Sequence, residues 1–211
     1  MSPSPAAQIQ AFPLIVINGL GAPRSAAILY ARYFRNHGHR TFVAPQRWMY
    51  WGDVRQSACL VARQVDDAIA RTGSAKVRMV GMSLGGLLGY YYLACLDGAR
   101  KVECFVSVGG PLNGTAIGHL GRMPPFSLLP AIAQCRPDSE VFREIEAALP
   151  LRGPRLYSVG ARGDAITPRS VWDAPGFEPV ESDTGCFPVG HWMLFTHEAN
   201  RRIVLNLLSP S

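Results

Sequence analysis

The chain has 211 residues, 48% of them hydrophobic and 17% charged, which is enough apolar material for a single domain over 1–211 and too little charge for disorder beyond residues 1–8. Its formal charge is +6, but only Lys76 and Lys101 are lysine and the arginines are scattered, so the concentrated stripe that nucleic acid needs is missing. No apolar run reaches the ~18 residues of a membrane span, and the opening MSPSPAAQIQ has neither a basic nor an apolar leader region, so a cytoplasmic protein without a membrane-spanning segment is expected.

In chain order, PLIVI at 13–17 reads as a buried strand closed by Asn18 and Gly19. Residues 24–37 read as a helix with Ile28, Leu29, Ala31, Tyr33 and Phe34 as its apolar stripe, ended by Gly38. His37 and His39 flank that glycine and are expected in solvent. RTFVA at 40–44 is a strand. Residues 53–71 form a helix with Leu60, Val61, Val65 and Ile69 inward and Gly73 past its end. KVRMVG at 76–81 is a strand, and Ser83 to Leu96 is a helix so apolar all round that it must be buried. Strands follow at 102–108, 155–160 and, weakly, 177–182, before a closing helix from His191 to Leu208. Strands alternating with helices predict a parallel α/β sheet.

Between Gly109 and Pro154, Pro111, Pro124, Pro125, Pro130 and Pro137 crowd a stretch that should have reached its next strand sooner, so 111–150 reads as an insertion. It holds one expected helix, Ser139–Leu149, capped by Asp138. Gly109 and Gly110 directly follow a strand, which puts the start of the insertion beside the sheet edge that carries Ser83. Its Met123, Phe126, Leu128, Leu129 and Ile132 cannot be buried by so small a unit alone. We expect them to fold over that edge as a cap, with Met123, Phe126 and Leu129 lining a pocket beneath it.

GMSLG at 81–85 matches the GxSxG pattern at a strand-to-helix junction. There a sharp turn exposes Ser83, glycines clear its surroundings, and the helix N-terminus favours the oxygen that becomes anionic. A serine hydroxyl needs a base and an orienting acid. Asp164, after a strand in GARGD, and His191, in VGHWML, follow in that order, with Asp173, Asp183 and His197 as substitutes. The five cysteines form no CxxC pair and suggest no metal site; Cys95 and Cys104 are expected in the core.

VINGLGA, KVRMVGMSLGG, GGPLNGT, GARGDAITP and VGHWML, taken together and in this order, resemble the α/β-hydrolase fold and within it the bacterial lipases and esterases. The resemblance runs from about Phe12 to the C-terminal helix and implies a minimal member with about six strands. It implies cleavage of a small ester or acyl substrate through an acyl-enzyme on Ser83, without a cofactor, and the pocket beneath the compact cap is then expected to take short or medium acyl chains. Thioesterase, amidase or acyltransferase chemistry on the same residues, and a noncatalytic binding protein, are the alternatives. It also implies backbone N–H donors at Leu20 and Leu84 for the oxyanion, although Asn18 stands where such proteins usually have histidine. Some related secreted lipases pin the histidine loop with a disulfide, for which Cys135 and Cys186 would be the pair; in a reducing cytosol all five thiols are expected free.

Overall fold

The computed structural model describes residues 12–183 and 190–209. Six strands form one all-parallel sheet: β1 (Leu14–Ile17), β2 (Thr41–Val43), β3 (Val77–Met82), β4 (Val102–Val108), β5 (Arg155–Ala161) and β6 (Glu178–Ser182), in the order β2-β1-β3-β4-β5-β6. Strands β1, β3 and β4 are apolar almost throughout because both of their faces are covered. The strand period of two sorts their side chains. Ile15, Ile17, Met79 and Phe105 face one layer, while Leu14, Val16, Val80, Cys104 and Val106 face the other.

On the first face lie α2 (Val54–Thr72) and α3 (Leu84–Cys95), with α5 (Glu140–Ala147) packed against α3. Every residue of α3 from Leu84 to Leu93 is buried. Burial of Leu87 and Leu88 alone contributes about 1.5–3 kcal/mol each. On the second face lie α1 (Arg24–Asn36), α7 (Gly190–Thr196) and α8 (Glu198–Leu207). Two short helices, α4 (Pro130–Gln134) and α6 (Arg169–Trp172), flank the C-terminal ends of the strands. Among the described residues no helix is long and apolar enough to cross a membrane.

The parallel α/β order is as the periodicities predict, and four details differ. In α1 the buried residues are Ala27, Tyr30, Ala31 and Phe34, while Ile28 and Leu29 face outward at 42% and 65% exposure. The small alanines let the helix approach the sheet, and a count of large apolar residues misplaces that face. The inward stripe of α2 likewise runs through Ala58, Val61, Val65 and Ala68, leaving Leu60 and Ile69 only partly covered. Helix α5 starts after Ser139 because the Asp138 carboxylate is taken by Arg136, at 3.0 Å, and Arg122. The closing helix breaks at His197, whose extended backbone starts α8. There Asn200 donates from Nδ2 to the Met193 carbonyl at 2.9 Å, alongside the His197 N–H that the same carbonyl accepts at 3.0 Å, and so ties the two helices together.

His39 is also not in solvent. It is 2% exposed, its ring edge-on to Phe34, and neither ring nitrogen has a partner among the described residues. Burial pushes the imidazole down to about 4, and the positive charge of Arg78 and then His37 acts the same way. A folded pKa below the unfolded ~6.5 means that folding favours the neutral ring. That contribution is complete above pH 6.5 and is lost as pH falls toward 4. Thermal unfolding followed from pH 7.5 to 4 should therefore show a fall in Tm across this window that is smaller in His39→Leu. A Leu variant with an unchanged slope would refute the assignment.

Among the bonds that tie the insertion down are two sets of side-chain bonds to α2 and α3. Gln134, ending α4, donates to Asp53 at 2.5 Å and accepts the Val54 N–H at 2.7 Å, so it completes the cap of α2 that Asp53 begins by accepting from Gln56. Farther along, Glu144 of α5 takes a hydrogen bond from Arg55 at 2.5 Å and from the Tyr91 hydroxyl at 2.6 Å. The Arg55 bond, followed by the Tyr91 bond, holds the Glu144 carboxyl below the usual carboxylate range.

Candidate active site

Ser83 sits between β3 and α3 with φ 50° and ψ −123°, a backbone conformation that costs a non-glycine residue on the order of 1–3 kcal/mol. Close packing of the main chain enforces the turn. A Cβ on Gly81 would lie 2.3 Å from the Gly85 carbonyl oxygen, and one on Gly85 would lie 2.5 Å from that of Ile17. Glycine at both positions lets the helix start directly against the strand ends, with the serine at the apex.

The His191 Nε2 lies 3.0 Å from Ser83 Oγ, and its Nδ1 lies 2.6 Å from Asp164 Oδ2. Asp164 follows β5, and His191 is the second residue of α7; they are 3% and 5% exposed. Asp164 is itself held by the Ile166 N–H at 2.8 Å, the Thr167 N–H at 3.1 Å and the Thr167 hydroxyl at 2.8 Å. Burial alone would raise its carboxyl. The hydrogen bond and charge of His191, with the two Thr167 donors, outweigh that and hold the group below its ordinary range. Thr167 is thus part of the site, and its signal in the sequence is its place three residues after the acid. Asp173 pairs with Arg169, Asp183 with Arg162, and His197 starts α8.

The loop after β1 closes over the serine: a Cβ on Gly19 would lie 3.2 Å from that of Ser83. Asn18, 1% exposed, shapes this loop by donating to the Ala22 and Pro23 carbonyls, each at 3.0 Å, and to Gln46 Oε1 at 3.1 Å. Gln46 in turn donates to Ala22 at 3.1 Å. Leu20 on this loop and Leu84 at the start of α3 both border a small cavity that includes Ser83. The Leu84 N–H belongs to the first turn of its helix, which has no intrahelical acceptors for such groups.

The insertion supplies the far wall of that cavity through Ile117, Gly118, Ile132 and Cys135. Met123, Phe126 and Leu129 are not among its lining residues. Met123 is 60% and Phe126 38% exposed, and Leu129 is half-buried ahead of α4. Three prolines and a run of short turns point this part of the insertion outward, and the residues that turn inward lie on either side of it. Cys135 is buried; Cys186, its suggested partner, lies outside the described residues. A larger open groove of about 520 Å³ beside Trp48 and Arg63 contains none of these groups. Among the described residues no three His, Cys, Asp or Glu side chains are placed to hold a metal ion.

No protein-family model matches the sequence. The chain has the α/β-hydrolase fold, and the solved structures it resembles include lipases and esterases of that fold. The mature form of a Bacillus licheniformis lipase matches 99% of this chain and 95% of its own at 17% identity and a TM-score of 0.75. A structure from a study of two metagenome-derived lipolytic enzymes matches 94% of both chains at 12% identity and a TM-score of 0.69. A lipase-esterase related protein of Clostridium acetobutylicum matches 94% of this chain and 95% of its own at 10% identity, with a TM-score of 0.67.

Proposed function

We propose that the protein is a carboxylic ester hydrolase that works through an acyl-enzyme on Ser83. The observation that carries this reading is the unbroken line of hydrogen bonds from Ser83 Oγ through His191 to Asp164, at 3.0 and 2.6 Å, with the serine on a strained turn at a helix start. His191 accepts the serine proton at Nε2 as Ser83 attacks the ester carbonyl, and Asp164 keeps the imidazole oriented and stabilises its charge. The N–H groups of Leu20 and Leu84 receive the oxyanion, aided by the positive end of α3. His191 then returns the proton to the departing alcohol, and a water activated by the same imidazole releases the acid. The insertion 111–150 acts as a cap that shields the acyl-enzyme from bulk water.

The test is active-site labelling with a fluorophosphonate followed by a panel of p-nitrophenyl esters, thioesters and anilides. The expected result is stoichiometric labelling at Ser83 and fastest turnover of the oxygen esters. Labelling without ester turnover, together with rapid thioester or amide cleavage, would move the protein to one of those classes. No labelling and no turnover would refute an enzymatic role.

A further inference from the structure

The cavity at Ser83 measures about 80 Å³, against about 300 Å³ at the low end for sites that take drug-sized ligands. Both proposed oxyanion residues, Leu20 and Leu84, border it, whereas His191 does not. A leaving alcohol must depart toward the His191 Nε2 that reprotonates it. The cavity is therefore on the acyl side of the scissile bond.

Its chemistry is that of a hydrocarbon site. Ile117, Ile132, Ile166 and Pro111 dominate the wall, and besides Ser83 itself the two hydroxyls in the lining are already donating, Thr115 to the Ile166 carbonyl at 3.2 Å and Thr167 to Asp164 at 2.8 Å. Burial pushes the Cys135 thiol up to about 12, so it meets the pocket as a small neutral group. A charged or hydroxylated acyl group would lose its water here and find few partners.

The far wall is also fixed in place. Ile132 and Cys135 are 7% and 6% exposed. The Cys135 carbonyl accepts from the Thr115 N–H at 2.7 Å, and the Ala131 N–H donates to the Trp51 carbonyl at 3.3 Å. Gln134 between them is locked into the cap of α2. Gly118 leaves no slack behind it, since a Cβ there would lie 2.5 Å from the Arg136 nitrogen. Lengthening the pocket would mean breaking several of these bonds together.

We infer that this pocket takes short, unsubstituted acyl groups, and that Ile132 and Cys135 are the residues that set the limit. The inference rests on the ester-hydrolase reading. It is tested by measuring kcat/KM for p-nitrophenyl acetate, butyrate, hexanoate and octanoate in the wild type, Ile132→Ala and Cys135→Ala, with fluorophosphonate labelling and thermal unfolding alongside. The wild type should lose at least about 10-fold in kcat/KM between butyrate and octanoate, and either variant should raise the octanoate-to-butyrate ratio by on the order of 10-fold, the size of effect one or two methylenes produce in an apolar pocket. A wild type that prefers octanoate would overturn the inference, as would a ratio unchanged in the folded variants. If one variant does not fold, the other and the wild-type series decide. Absence of Ser83 labelling would instead sink the ester-hydrolase reading itself.

Discussion

Replacing Ser83 by alanine is expected to remove ester hydrolysis and fluorophosphonate labelling together, with kcat falling on the order of 10⁶-fold as it does when other hydrolases lose their serine. The fold should survive, because among the described residues Ser83 Oγ is hydrogen-bonded only to His191, at 3.0 Å, and the turn is set by main-chain packing around Gly81 and Gly85. Ser83→Gly makes a sharper comparison. It removes the same hydroxyl but also relieves the positive φ of 50°. Its Tm should therefore equal or exceed that of the alanine variant, glycine's greater freedom in the unfolded chain offsetting part of the relieved strain. Undiminished ester turnover in either variant, or labelling at another serine, would refute the role of Ser83.

His191→Ala is expected to reduce kcat by at least ~10³-fold, and Asp164→Asn by on the order of 10⁴-fold. An asparagine can no longer accept from the imidazole in the manner of a carboxylate, so the neutral ring is free to turn or to adopt the tautomer whose Nε2 carries the proton. That nitrogen could then not accept from the serine. Asp164 also accepts from three donors on Ile166 and Thr167, and those bonds would be weakened as well. His197→Ala and Asp183→Asn serve as comparisons, since His197 starts α8 and Asp183 is 91% exposed at its side chain. Steady-state kinetics on all four variants provides the check. Equal losses at His191 and His197, or a mild effect at Asp164 beside a severe one at Asp183, would overturn these assignments.

Much of the architecture is legible locally. Apolar runs broken by Gly, Pro and Asn mark the strands, and an all-apolar segment from Leu84 to Leu93 can only be an inner helix. The order serine, acid, histidine is likewise a property of the chain, and the structure brings His191 within hydrogen-bond distance of both Ser83 and Asp164. Thr167 is harder to see, because a threonine after an acid has many uses and its hydroxyl matters only once Asp164 is buried.

By itself, then, the sequence determined the parallel α/β order, the position of the turn at Ser83 and the chain order of its two partners, because periodicity and glycine placement act over a few residues. Only the tertiary structure decided which face of α1 is covered, that His39 is buried, and that Ile132 and Cys135 rather than Met123, Phe126 and Leu129 border the cavity. The reason is that burial is a property of two surfaces. Whether Ile28 or Ala27 points inward depends on the sheet opposite, and whether a residue of the insertion meets Ser83 depends on where Gln134 and Glu144 anchor that segment to α2 and α3.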